Sequence, residues 1–279
     1  MKACPPVPRV DDAPTELFDG GHLWIQERID GGQFRFRLSE SGTVEFGDRT
    51  DVFDRDTIPA PDEHTVRHVR ERLDRAALRT AVDSVEDVVF FGVSTYKRAV
   101  DYDWNRLPSF VGHDIWSGTE KAFLPPDTTE KVFDRLGLTP VNAFWKEVRA
   151  VDFDPETYAI PDSRWYDGTA AGVVLRNKTG LRAHKPAPNL EPADGSPSVD
   201  FTAEELAGEW ATDRRFQRIA NGLEADGKPV TVDSLYDRVL EDIVREKHRE
   251  LSSGTSDDEL RAFRSGVAAL TREFVTERR

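Results

Sequence analysis

Trp24-Ile25-Gln26-Glu27-Arg28-Ile29-Asp30-Gly31-Gly32-Gln33-Phe34-Arg35-Phe36 is the stretch that organises the chain. Residues 23–29 and 33–37 read as two strands, because apolar and polar side chains alternate about a turn signal, Asp30-Gly31-Gly32. Arg28 lies two residues before Asp30-Gly31. A guanidinium stays protonated and offers no lone pair, whereas a lysine amine in that place can be made nucleophilic by a lowered pKa.

Further strands are expected at about 43–46, 87–93, 111–116, 172–175 and 181–184, and helices over 61–84 and 131–136. Lys185 to Ser198 carries four prolines and breaks the pattern. Beyond it the chain reads as helical, with apolar stripes at Leu235, Val239 and Ile243 and again at Leu260, Phe263, Val267, Leu270 and Phe274. Caps are expected at Thr202, at Thr231 or Asp233, and at Ser256 or Asp257. The expected division is an extended lead-in over 1–16, a mixed domain over 17–188, a linker over 189–200 and a helical domain over 201–279.

The chain has 279 residues, enough for a large domain and a small one. Its formal net charge is -14, and lysine supplies only nine of 38 basic residues. Acidity with arginine in place of lysine suggests a salt-adapted (halophilic) source. Net negative charge repels nucleic acid, but high salt shortens that repulsion to a few Å. Cys4 is the only cysteine, which excludes an intrachain disulfide and a cysteine-based zinc site. No apolar run reaches about 18 residues and no signal pattern opens the chain, so no membrane partner and a cytoplasmic location are expected. His64 and His68 stand four residues apart with no third ligand in sequence, so no metal site is assigned.

Several short segments then follow in order: Gly47-Asp48-Arg49-Thr50, Phe90-Phe91-Gly92-Val93, Phe110-Val111-Gly112-His113-Asp114-Ile115, Ala171-Gly172-Val173-Val174-Leu175-Arg176 and Leu181-Arg182-Ala183-His184-Lys185. With Arg28-Ile29-Asp30-Gly31, this succession resembles the motifs of ATP-dependent RNA ligases of the type-2 branch of the covalent nucleotidyltransferases. The resemblance covers about residues 17–188, and the helical tail resembles the small C-terminal domain of that group. It implies an α+β fold: an antiparallel-sheet, ATP-grasp-like ligase domain with a small C-terminal helical domain.

Position by position, the resemblance puts Arg28 where the adenylated lysine belongs, followed by Asp30 and Gly31 as in the family. It implies that Glu27 lies against the adenine, and that Arg49 helps hold the ribose or the polynucleotide end. Val93 and Ala171 fall where a ribose-contacting and a metal-associated glutamate belong. Arg176 is kept, while Arg182, His184 and Lys185 stand about the α-phosphate lysines. An active member would use ATP and magnesium. Three losses bear on AMP transfer, so the expectation is a ligase-like protein without self-adenylation, a pseudoenzyme that binds RNA ends, DNA ends or a nucleotide. The alternatives are an active ligase with an unorthodox nucleophile, Lys97 or Lys185, and a non-enzymatic scaffold with an unknown protein partner.

Overall fold

The computed structural model describes residues 1–54, 57–188, 190, 203–252 and 256–278. Two compact units divide at Pro192 and Ala193. The expected linker, apart from residue 190, and the Thr202 cap lie outside the described residues.

The first unit holds two antiparallel sheets. One has the order β7-β1-β8-β9, from β1 (His22–Glu27), β7 (Ala143–Arg149), β8 (Gly172–Arg176) and β9 (Arg182–Pro186). The other has the order β3-β2-β4-β5-β6, from β2 (Gly32–Leu38), β3 (Val44–Gly47), β4 (Val88–Ser94), β5 (Phe110–Ser117) and β6 (Ala122–Phe123). Alternation explains both, since successive side chains of a strand take opposite faces. In β1, β8 and β9, Leu23, Ile25, Val173, Leu175 and Ala183 share one cluster with Leu17 and Ala150. In β2, β4 and β5, Phe34, Phe36, Phe90, Phe110 and Ile115 form a second.

Three helices cover that second face: α1 (Glu63–Arg72), α2 (Arg75–Ala81) and α3 (Pro126–Arg135). Val66, Val69, Leu78 and Phe133 bury against the phenylalanines. The single helix expected over 61–84 is in fact α1 and α2, broken at Leu73. Asp74 supplies the physical reason: its extended backbone and carboxylate, accepting from the Ala77 N–H at 2.8 Å, start a new helix. The helix expected at 131–136 starts earlier, at Pro126, where a missing N–H costs nothing.

With each sheet's other face committed to its own cluster, the remaining two faces meet. Asp114 of β5 pairs with Arg176 of β8 and Arg182 of β9, and the Arg182 guanidinium lies 4.4 Å from the centre of the Phe123 ring of β6. At one end of this interface Ile29, Val93, Tyr102, Leu107, Val111, Val141, Trp165 and Ala171 form an apolar cluster.

The second unit is helical: α4 (Ala203–Trp210), α5 (Asp213–Ala225), α6 (Val232–Glu246), α7 (His248–Ser252) and α8 (Asp257–Glu277). Leu235, Val239, Ile243, Phe263 and Val267 lie in its core, as the stripes imply. Thr231 and Ser256 cap α6 and α8, each in a reciprocal capping box. Among the described residues no helix is long and apolar enough to cross a membrane.

Candidate functional site

Asp30 follows β1 and is buried. One carboxylate oxygen accepts the N–H groups of Ala99 and Val100 at 2.8 and 3.2 Å, and its own N–H donates to Tyr102 Oη at 2.8 Å. Asp30 therefore anchors the segment that follows β4. Gly31 passes so close to that strand that a Cβ would stand 2.5 Å from both the Ser94 carbonyl oxygen and Val93 Cγ1. No side chain fits there, which gives the Asp-Gly pair a packing reason.

Arg28 is half-buried and directed at β8. Its N–H donates to the Gly172 carbonyl at 3.0 Å, and its guanidinium to the Ala171 carbonyl at 3.3 Å. Glu27 beside it is buried, accepting from Ser163 Oγ at 2.6 Å and from the Arg164 N–H at 3.3 Å. Burial raises its pKa above the ordinary carboxylate range, against those bonds.

The other cations differ in what they hold. Arg176 is buried, donating to Asp114 and to the His113 carbonyl. Arg182 Nη1 meets the other Asp114 oxygen at 2.5 Å. Burial would raise the Asp114 pKa, but Arg176, with His113 and Arg182, holds its carboxyl down at about 2. Burial also draws Arg176 below the ordinary guanidinium range, yet a guanidinium held by a carboxylate stays charged, so the trio is ionic. Lys185 Nζ donates to the carbonyls of Pro155 at 2.5 Å and Tyr158 at 2.9 Å. Lys97 pairs with Asp101 at 3.2 Å. Arg49 is exposed, on a turn that Asp48 closes by accepting the N–H groups of Thr50 and Asp51.

Two participants were not singled out in sequence. Arg35 is 1% exposed in β2, donating to the carbonyls of Lys2 at 2.8 Å and Thr50 at 2.9 Å. Its place between Phe34 and Phe36 carries the signal, since alternation sends it to the opposite face. The second is the lead-in. Pro8 accepts from the His184 N–H at 2.9 Å, and His184 Nδ1 donates to the carbonyls of Val7 and Pro8 at 3.1 and 3.0 Å. Nothing periodic in residues 1–9 foretold this.

Whether ATP and magnesium, which the resemblance implies for an active ligase, would fit here turns on Val93 and Ala171. Both belong to the apolar cluster, 8% and 0% exposed, and neither offers a side-chain oxygen to a divalent cation. No group of three metal-ligating side chains occurs among the described residues. The residues at these positions do not fit a metal-bound triphosphate.

Comparison of the fold with solved structures gives a consistent answer. A variant of the Naegleria gruberi RNA ligase with ATP and Mn superposes with a TM-score of 0.53 at 11% identity, over 67% of this chain and 56% of that one. The same ligase with PPi gives 0.52 at 12% identity, again over 67% and 56%. This is the RNA-ligase fold. An archaeal ATP-dependent RNA ligase also matches, with a TM-score of 0.49 and 17% identity over 90% of this chain and 65% of that one. The ligase-fold chain thus spans little more than half the length of the Naegleria ligases. No protein-family model and no curated protein matches the sequence.

Proposed function

We propose that this is an RNA-ligase-fold protein that has lost self-adenylation and binds phosphate-bearing ends of nucleic acid without capturing a nucleotide covalently. One observation carries the reading: beside Arg28, both positions at which the resemblance implies a carboxylate lie in a single apolar cluster. Covalent AMP transfer needs a neutral amine and a cation over the triphosphate. Arg28 supplies no such amine, and Val93 and Ala171 supply no ligand. Arg28 and Arg49 retain the planar donor geometry that suits phosphate.

The test is incubation with α-labelled ATP and Mg or Mn, then denaturation and a count of label left on the chain. No retained label is expected, alongside measurable binding of a 5′-phosphorylated RNA oligonucleotide by fluorescence anisotropy. A covalent adduct overturns the reading. An active ligase using Lys97 or Lys185 is disfavoured by the contacts both amines already make.

A scaffold that binds neither RNA nor nucleotide is supported by a separate observation, the neutralisation of Arg176 and Arg182 by Asp114. Absence of RNA binding at every ionic strength, with recovery of a stable protein partner, would select it.

A further inference from the structure

Residues 1–9 run from one sheet to the other. The Lys2 carbonyl accepts from Arg35 of β2, and Lys2 Nζ stands 4.1 Å from the centre of the Trp116 ring of β5. Cys4 is half-buried and lies within electrostatic reach of Arg35, Asp114, Arg49 and Arg182. Val7 and Pro8 present their carbonyls to His184 of β9, and Arg9 bridges in parallel to the same residue. Backbone carbonyl oxygens, carrying partial negative charge, are thus set against Arg35 and His184, as phosphate oxygens would be. Pro5, Pro6 and Pro8 keep the segment extended in advance, which lowers the entropy lost on docking.

We propose that residues 1–8 form a built-in strap that lies across both sheets and competes with phosphate-bearing nucleic acid for Arg35 and His184. The competition rests on the binding reading above; the strap itself does not. Binding then requires release of the strap, and the apparent dissociation constant rises by the inverse of the released fraction.

Cys4, the only cysteine, reports that release. Burial, outweighing Arg35 nearby, pushes its thiol up to about 11, so it alkylates slowly while docked. The first arm uses no nucleic acid. Pro5→Gly with Pro6→Gly loosens the strap without touching a charged group, and His184→Ala removes its anchor. Each is expected to speed iodoacetamide labelling of Cys4 about fivefold or more, by raising the population of the released state. Unchanged labelling in both variants overturns the strap, whatever the chain binds.

The second arm measures a 5′-phosphorylated RNA oligonucleotide against the intact chain, the double glycine variant and a chain lacking residues 2–8. Affinity about tenfold tighter in the two altered chains is expected, together with faster Cys4 labelling of the intact chain when the oligonucleotide is added. Equal affinity overturns the competition and leaves the binding reading standing. Weaker affinity overturns it too, making the segment part of the binding surface. No binding by any chain overturns the functional reading and the competition with it, and the first arm still decides whether the strap exists.

Discussion

Asp114 of β5 and Arg176 of β8 join the two sheets through a buried ion pair, completed by Arg182 on the other carboxylate oxygen. A carboxylate shared by two buried guanidiniums is poorly replaced, because its loss strands positive charge in a low-dielectric interior. Asp114→Asn is expected to cost about 3–5 kcal/mol, read as a lower urea midpoint at pH 7. The pH sense follows from its depressed pKa. With Asp114 at about 2 when folded, and about 3.9 when unfolded, its contribution is complete above about pH 4 and is lost as pH falls towards 2. The Asn variant should lack that acid limb.

Asp62 titrates in the opposite sense. It precedes α1, buried, and burial pushes its pKa up to about 6, with Asp48 adding to the rise and a hydrogen bond with Ser94 opposing it. Its unfolded pKa is about 3.9, so its contribution is present in full below about pH 4 and is lost as pH rises through 6. Asp62→Asn should therefore stabilise the chain at pH 7 by about 1–2 kcal/mol, and flatten stability between pH 4 and 6. A variant whose unfolding midpoint falls at pH 7 would contradict this.

The strands were legible wherever one face is buried, because burial imposes alternation. Phe34 and Phe36 against Arg35 show it most clearly. The edge strand β7 was not foreseen: Trp145, Lys146 and Glu147 are exposed in succession, so no apolar rhythm marks it, and its pairing to β1 carries register shifts. Asp30-Gly31-Gly32 was legible as a turn signal, and it does join β1 to β2; the N–H groups that Asp30 accepts and the close approach of Gly31 to β4 are tertiary and were not. Nor was what the cations hold. Arg176 and Arg182, paired across the β8–β9 hairpin, meet an Asp114 that lies 62 and 68 residues away in the chain, and Lys185 meets carbonyls near residue 155, contacts that only the tertiary fold creates.

The helical unit should respond to its own core. Ile243 is fully buried in α6 with Leu235 and Val239. Ile243→Ala is expected to cost about 2–5 kcal/mol through lost burial and a residual cavity. Thr231→Ala, which breaks the capping box of α6, should cost only about 1 kcal/mol. Hydrogen exchange on the intact chain checks both, with the larger loss of protection in α5, α6 and α8 expected for the core variant.

Installing the residues that the resemblance implies for an active ligase separates chemistry from packing. Arg28 is half-buried and makes one 3.3 Å side-chain bond, so Arg28→Lys should cost under about 1 kcal/mol. It should not bring adenylation, because an amine alone lacks the metal ligands and the carboxylate that transfer requires. Val93→Glu and Ala171→Glu are different. Each would put a carboxylate into the cluster formed by Ile29, Tyr102, Leu107, Val111 and Trp165, with the Arg28 guanidinium, 3.3 Å from the Ala171 carbonyl, at its side. A cost of about 3 kcal/mol or more is expected for Val93→Glu, from desolvating the charge, and a smaller one for Ala171→Glu, which stands beside Arg28. Denaturant unfolding supplies the stability, and retained label from α-labelled ATP supplies the chemistry. If the triple variant folded with little loss of stability and retained AMP, the apolar cluster could not be the barrier to adenylation, and a pocket already shaped for the nucleotide would have to lie beneath it.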